Sequence, residues 1–485
     1  MGVSMRFSDL PRRGKNSVLI AVSMIVLIFF WGWQITGGGT SSVTARVHDT
    51  VMPYAKSVFD HLSPPSRIST LDLSHLQPHI KTQTFKYVRR TIRTKQVAME
   101  RADLTRVNET LFDSPLILDK ENLTSITVAS PPVLELHVPS TPKVDISIMA
   151  FGMATKIPRL QQAIPQLAHW LPHTGAQVHV IAPAHDDDLP VERSIRKLGI
   201  DLMITSSDLP FPKAYFSIIK KLYETRSPQT KWLVMMDDDT FIPSLPYLVK
   251  HLEKNYDASE QVMVAATSDN LKQVQSWGLI PFGGGGIFVS VPLAAALVKP
   301  EVWNACMNST KDQGDQIVNE CLNYHSTIRP TFDLGLHQMD ISGDSAGYFE
   351  SGRRLLTVHH WKTWFDFNVP MAANVSKACG QECVFQRWLF DENTVLSNGF
   401  SIVNYPKGIK ETTLGQVEKT WEGEMWMFYH KIGPLREPLQ KEEKKAARLV
   451  EASIIPQVGV RQVYIESAGG VANGMDRVEE LLWLF

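Results

Sequence analysis

Between residues 144 and 236, short apolar runs alternate with amphipathic stretches, and that rhythm admits few architectures. VDISIMAF (144–151), QVHVIAP (177–183), DLMITSS (201–207) and KWLVMM (231–236) read as buried strands. ATKIPRLQQAIPQLAHWL (154–171), VERSIRKLG (191–199) and YFSIIKKLYETR (215–226) read as helices between them. Strands joined through helices build an α/β domain with a mostly parallel sheet. Such sheets bind ligands at the carboxyl ends of their strands, so chemistry is sought there.

One strand end stands out. The apolar residues Trp232 to Met236 run directly into Asp237, Asp238 and Asp239. Adjacent carboxylates repel one another and resist desolvation. A divalent cation such as Mn2+ or Mg2+ relieves both, because hard cations prefer carboxylate oxygens. A solvated acidic loop, or helix caps before SLPYLVKHL, is the competing reading. A second acidic run, Asp186 to Asp188, precedes the 191–199 helix and suits its N-terminus, so it reads as structural.

Other stretches are informative only in company. Gly283 to Gly286 precede an apolar run, and glycine permits close approach of backbone to a ligand. They form neither a dinucleotide fingerprint nor a phosphate-binding loop. Asp315 opens a helical stretch, where an acid is ordinarily a cap. His337, Asp340, His359 and His360 follow, and a lone histidine is more often structural than a ligand.

The N-terminal part places this domain. Residues 17–36 carry no charge, and twenty residues span about 30 Å as a helix, the thickness of a bilayer core. Arg6, Arg12, Arg13 and Lys15 precede them, against Asp9 alone. The positive-inside rule then predicts a cytosolic tail (1–16), a transmembrane anchor (17–36) and a lumenal body. A cleaved signal peptide is the alternative, but its apolar region would be shorter. Four sequons, at Asn108, Asn122, Asn308 and Asn374, all follow the anchor. An oxidising lumen predicts two local disulfides, Cys306 with Cys321 and Cys379 with Cys383. Residues 37–143 are polar and proline-punctuated and read as a stem, with local helix around 85–105. The domain proper covers 144–385, and 386–485 reads as a β-rich C-terminal lobe crossed by a charged helix. The formal net charge is −1, which gives no basic face for nucleic acid. Nothing in the sequence assigns an oligomeric state.

In order and spacing, WLVMMDDDTF (232–241), FGGGGIFVS (282–290), GDQIVNECL (314–322), GLHQMD (335–340) and the stretch from GDSAGYFE to TVHHW (343–361) resemble the fringe-like β-1,3-glycosyltransferases of glycosyltransferase family 31, in their plant and fungal branch. The resemblance covers about residues 144–370. It implies a GT-A-type nucleotide-sugar-binding domain, a Golgi membrane location, and a metal-dependent, inverting transfer from a UDP-sugar to a glycan or glycoprotein hydroxyl. It implies Asp237, Asp239 and His337 as ligands of Mn2+ (or Mg2+), and Asp238 near the ribose or donor sugar. It further implies that Gly283, Gly284 and Gly285 line the donor sugar, that Asp315 is the catalytic base, and that Phe151, Gly152, Thr155 and Arg159 meet uridine and phosphate. The family often pairs two acids at the base position, whereas Gly314 precedes Asp315 here. A metal-dependent phosphohydrolase and a non-catalytic glycan-binding protein are the rival classes.

Overall fold

The strand Trp232–Met235 lies at the centre of a seven-stranded sheet, with all four residues buried. On one side it runs parallel to Met149–Ala154, Trp232 opposite Met149. Beyond lie Gln177–Ala182 and Asp201–Ser206, also parallel. On its other side Phe282–Ser290 runs antiparallel, followed by Met263–Ala266 and the short Thr331–Phe332. The sheet is therefore mixed but mostly parallel. The helices Ile157–Trp170, Asp188–Arg196 and Phe211–Thr225 connect the parallel strands, as the alternation predicts. Apolar cores fill both faces. Phe151, Trp170 and Phe288 sit on one, and Phe216, Ile219 and Val289 on the other.

This computed structural model describes residues 68–129, 132–184, 188–469 and 474–485. The expected tail, the 17–36 anchor and residues 37–67 of the stem lie outside them, as do Asp186 and Asp187 of the second acidic run. Among the described residues no helix is long and apolar enough to cross a membrane.

A second sheet of ten strands corrects the expected stem and lobe. It contains Arg387–Phe390, Thr394–Ser397, Ser401–Asn404, Lys445–Ile455, Gly459–Glu466 and Asp476–Leu484 from the C-terminal part. It also takes Thr84–Val97, Thr105–Arg106, Leu116–Asp119 and Leu134–Pro139 from the expected stem. Thr84–Val97 pairs in parallel with Asp476–Leu484, Phe85 opposite Asp476. No helix forms at 85–97, because Phe85 and Tyr87 bury alternate positions and the β-branched residues among them suit a pleated surface. The expected charged helix is likewise a strand over Lys445–Ile455, paired on both sides. Long-range pairing overrides the local helical preference of its Lys, Ala and Glu residues.

Residues 68–485 form one compact unit. A shared core that includes Phe241 and Val358 from the first sheet's side and Trp388 and Trp483 from the second joins the two sheets. Both expected disulfides are formed. Cys306–Cys321 ties the helix Pro300–Met307 to the helix Gly314–His325, which carries Asp315.

Candidate active site

Immediately beyond the carboxyl end of Trp232–Met235, the backbone of the three acids is fixed from several directions. The Asp237 N–H donates to Thr240 Oγ1, and that hydroxyl donates to the Gly284 carbonyl at 2.8 Å. Gln166 Nε2 donates to the Asp238 carbonyl at 2.6 Å, and Trp361 Nε1 to the Asp239 carbonyl at 2.7 Å. The loop is thus a rigid platform. A mobile acidic loop would show none of these bonds.

Each carboxylate then takes a different partner. Asp238 accepts a two-pronged bond from Arg159, Nε at 2.7 Å and a terminal nitrogen at 2.6 Å, and a further bond from the Thr155 hydroxyl. Thr155 directly follows the strand Met149–Ala154, and Arg159 stands in the first turn of the next helix. The forked pairing raises the guanidinium's pKa further. Asp237 and Asp239 instead face His359, whose Nε2 lies 3.4 Å from Asp237 Oδ2 and 3.0 Å from Asp239 Oδ1. Burial alone would push His359 down, but the two carboxylates outweigh it and hold it up at about 10. Burial likewise opposes ionisation of Asp239, yet His359 brings it down to about 2.

Such a cluster suits a divalent cation. Ligand atoms of Asp239, His359 and His360 lie within 4.8 Å of one another, the one such grouping among the described residues. The carboxylate oxygens suit Mn2+ or Mg2+, and the imidazoles favour Mn2+ of the two.

His337, the histidine expected to bind metal, is placed elsewhere. Its Nδ1 lies 2.9 Å from Asp269 Oδ1, and Asp269 also accepts from the Met339 N–H at 2.6 Å. The imidazole stands edge-on to Tyr348, with ring centroids 5.5 Å apart. Asp269 thereby braces His337 through Nδ1 within a buried polar network, and His359 is the histidine whose Nε2 lies beside Asp237 and Asp239. Phe151 is also corrected: it is fully buried and packs against Trp170 in the core. Gly152 lies beside it in the same strand, and a Cβ there would meet Ile218 at 2.3 Å. Of the four residues expected around uridine and phosphate, only Thr155 and Arg159 line the cleft. That cleft, of about 460 Å3, is bounded also by Pro183, Leu209, Phe211, Asp237 and Asp238.

The glycines are required by close packing. A Cβ on Gly284 would lie 2.1 Å from the His359 ring, and one on Gly283 would lie 1.5 Å from the Tyr215 hydroxyl. A Cβ on Gly285 would come within 2.3 Å of Ala266. Their side-chain directions are taken by protein, so any donor contact there belongs to their backbone.

Asp315 comes from the opposite side. It lies in the first turn of Gly314–His325 but is not the cap, which is Gln313. Its Oδ1 accepts from the Gly283 N–H at 3.2 Å. Burial pushes its carboxyl up to about 8, and the charge on Asp237 adds to that. Asp315 is thus close enough to sense the acids while remaining partly exposed.

Asp340 lies 3.0 Å from His360 Nε2 and accepts from the Ser268 hydroxyl. The two neighbouring imidazoles, His359 and His360, have centroids 3.9 Å apart. His360 adopts φ +57°, a conformation that non-glycine residues rarely take. Sequence reasoning noticed this pair but gave it no role. The one signal was the adjacent Trp361, whose indole pins the Asp239 carbonyl.

Residues 273–422 match a family described as protein of unknown function, DUF604. That segment holds the glycines, Asp315, His337, His359 and His360, and begins after the three acids. No curated protein matches the chain. Solved structures that resemble part of it include mouse xyloside xylosyltransferase 1, with 11% identity over 44% of this chain and 98% of that one, at a TM-score of 0.32. The glycosyltransferase GlyE of Streptococcus pneumoniae TIGR4 shares 12% identity over 38% of this chain, at a TM-score of 0.28. This chain covers 45% of the GlyE chain's length. An active-site mutant of LgtC shares 10% identity over 41% of this chain and 76% of that one, at a TM-score of 0.29.

Proposed function

We propose that the protein is a metal-dependent glycosyltransferase that moves a hexose or N-acetylhexosamine from a UDP-sugar to a glycan or glycoprotein hydroxyl. Inversion and a β-1,3 linkage follow from the resemblance to the fringe-like family. The observation that carries the reading is the convergence of Asp237, Asp239 and His359 at a strand end, with Asp315 facing them across Gly283.

Asp237, Asp239 and His359 would hold Mn2+ or Mg2+, with His360 beside them. When bound, the cation supplies Lewis-acid stabilisation of the departing diphosphate. Asp238 stays locked to Arg159 and Thr155, which keeps the loop rigid beside the 460 Å3 cleft proposed for the nucleotide. Asp315 must be ionised to accept the acceptor hydroxyl's proton as the oxygen attacks the anomeric carbon, and a cation held beside Asp237 would favour that form by offsetting the negative charge that adds to burial in raising its pKa. One bond from that carbon to the diphosphate oxygen breaks and one to the acceptor oxygen forms. The Gly283 N–H orients Asp315 for this role.

The uncharged 17–36 stretch, expected to be an anchor, and the sequons support a type II Golgi protein with this domain in the lumen. Incubation of the purified full chain with a panel of UDP-sugars and simple glycosides, with and without Mn2+, tests the activity. Metal-dependent transfer from one donor is expected. Metal-dependent phosphoester hydrolysis without transfer, or no turnover of any donor, would overturn the reading.

A further inference from the structure

Tyr215 belongs to the helix Phe211–Thr225 and is 2% exposed. Its ring joins the apolar core that also holds Ile317 and Val318 of the helix Gly314–His325. Gly314 is a point of close contact between the two helices. A Cβ there would lie 2.5 Å from the tyrosine ring. Residue 314 therefore offers Asp315 no side chain, and Tyr215 occupies that room instead. The phenol oxygen ends beside Gly283. A Cβ on Gly283 would lie 1.5 Å from that oxygen and 3.0 Å from Asp315 Oδ1. Both oxygens crowd one point, so they are at most 1.5 plus 3.0 Å, or 4.5 Å, apart.

A tyrosine kept only for its ring gains nothing from the hydroxyl. The Tyr215 oxygen is buried, and no ordinary hydrogen bond satisfies it. A buried hydroxyl without an acceptor is costly, and phenylalanine would fill the same space without that cost. The Gly283 N–H is a donor already given to Asp315 Oδ1, and it cannot take the phenol's proton. Asp315 is an acceptor within reach. Burial, with the Asp315 and Asp237 carboxylates, holds the phenol well above its ordinary pKa, so it keeps a proton to donate.

Oδ1 is the Asp315 oxygen turned towards the protein. It accepts from the Gly283 N–H, and among the described residues no hydrogen bond is made to Oδ2. Asp315 is also partly exposed, whereas Tyr215 is sealed from solvent. A carboxylate that takes a proton from a substrate works best with one oxygen fixed and the other open. We propose that Tyr215 is a positioning residue for the transfer: its phenol O–H donates to Asp315 Oδ1, holds the carboxylate against Gly283 and leaves Oδ2 to the acceptor hydroxyl. This rests on the glycosyltransferase reading for the role of Asp315, although the hydrogen bond itself does not. Because the phenol is buried, it acts through Asp315 and not on the substrate.

Two measurements on the full chain test it. The first needs no substrate. Tyr215→Phe should lower the urea midpoint of the otherwise wild-type chain and leave that of Asp315→Ala unchanged, because the hydroxyl stabilises only through its partner. A hydroxyl without a partner would behave differently, its removal leaving the midpoint unchanged or raised in both backgrounds. The second measurement is turnover of the donor that the wild type uses. Tyr215→Phe should lower kcat about ten-fold, with KM for the donor and Mn2+ affinity retained, since a misplaced base slows the chemical step alone. Added to Asp315→Asn, it should cost less than about two-fold more, because the base is already lost. Additive effects on stability, or near-normal kcat in Tyr215→Phe, would overturn the proposal. A wild type that turns over no donor would overturn the transferase reading and this role with it, while the urea midpoints would still decide whether Tyr215 bonds Asp315.

Discussion

His359 Nε2 lies 3.0 Å from Asp239 Oδ1, although the two residues are 120 positions apart in the chain. The adjacent indole of Trp361 bonds the Asp239 carbonyl, so side chain and backbone of that aspartate are gripped by one short segment. A fold that buries an acid this way must supply positive charge to it, from an imidazolium or a cation.

The first prediction discriminates between the two histidines. His359→Gln should weaken Mn2+ binding more than about 100-fold, beyond the loss seen when a supporting hydrogen bond is removed. His337→Gln should leave Mn2+ affinity nearly unchanged and lower stability instead, because Asp269 loses a buried partner. Paramagnetic titration of Mn2+ into each variant reads this directly. Equal weakening by both would restore His337 to the metal site.

Asp315→Asn should cost about 10²–10⁴-fold in turnover, with Mn2+ and UDP affinity retained. The amide can still accept from the Gly283 N–H but cannot take a proton. Helix stability should hardly change, since the Asp315 side chain bonds to Gly283 outside the helix and does not sit at the cap position. Single-turnover transfer assays and a thermal melt together check it. Near-normal turnover would move the base elsewhere.

These contrasts show where the sequence was readable. The strand ending in Asp237 to Asp239 was legible because apolar run and acids are contiguous. So were the disulfides, whose partners are near in sequence. The choice of His359 over His337 was not, because both sit among apolar and polar neighbours of the same kind. Only the fold shows which imidazole lies beside Asp237 and Asp239. Thr84–Val97 escaped for a related reason: its alternation is broken by arginines and lysines, and its partner strand lies almost at the other end of the chain. Phe151 misled because a residue at the right strand position still had to point either to the cleft or to the core.

Glu350 gives a stability prediction with a defined sign. It is buried with Lys444 Nζ at 2.6 Å, Arg448 at 3.0 Å and the Ser401 hydroxyl at 2.7 Å. Burial opposes its ionisation, but Lys444 and Arg448 outweigh that and hold the carboxyl at about 2, below its ordinary 4.5. A depressed native pKa stabilises the fold above the unfolded value and loses that contribution as pH falls towards the native one. The contribution is about 3 kcal/mol at neutral pH, at about 1.4 kcal/mol per pKa unit. Glu350→Gln should therefore be destabilised at pH 7, and its gap from wild type should shrink between pH 4.5 and 3. Urea unfolding at several pH values measures it, and a gap independent of pH would contradict the assignment.

The last prediction concerns Asp340, which is buried and touches none of the three acids' partners except through His360. Its carboxylate sits 3.0 Å from His360 Nε2, and it is itself braced by the Ser268 hydroxyl. A histidine beside a metal is commonly oriented by such a carboxylate. The need is greater here, because His360 is held at a positive φ that its own backbone disfavours. Asp340 is therefore a positioning residue, and its removal should act on geometry. Asp340→Asn should lower Mn2+ affinity about 10–100-fold while leaving UDP binding in the neighbouring cleft intact. Asn keeps the size and one hydrogen bond, so the metal-free melting temperature should shift little. A purely structural role would give the reverse, a lowered melt with Mn2+ affinity unchanged. That pattern would remove Asp340 from the metal site and leave His360 to be held by the Thr363 hydroxyl, 3.2 Å from its Nδ1.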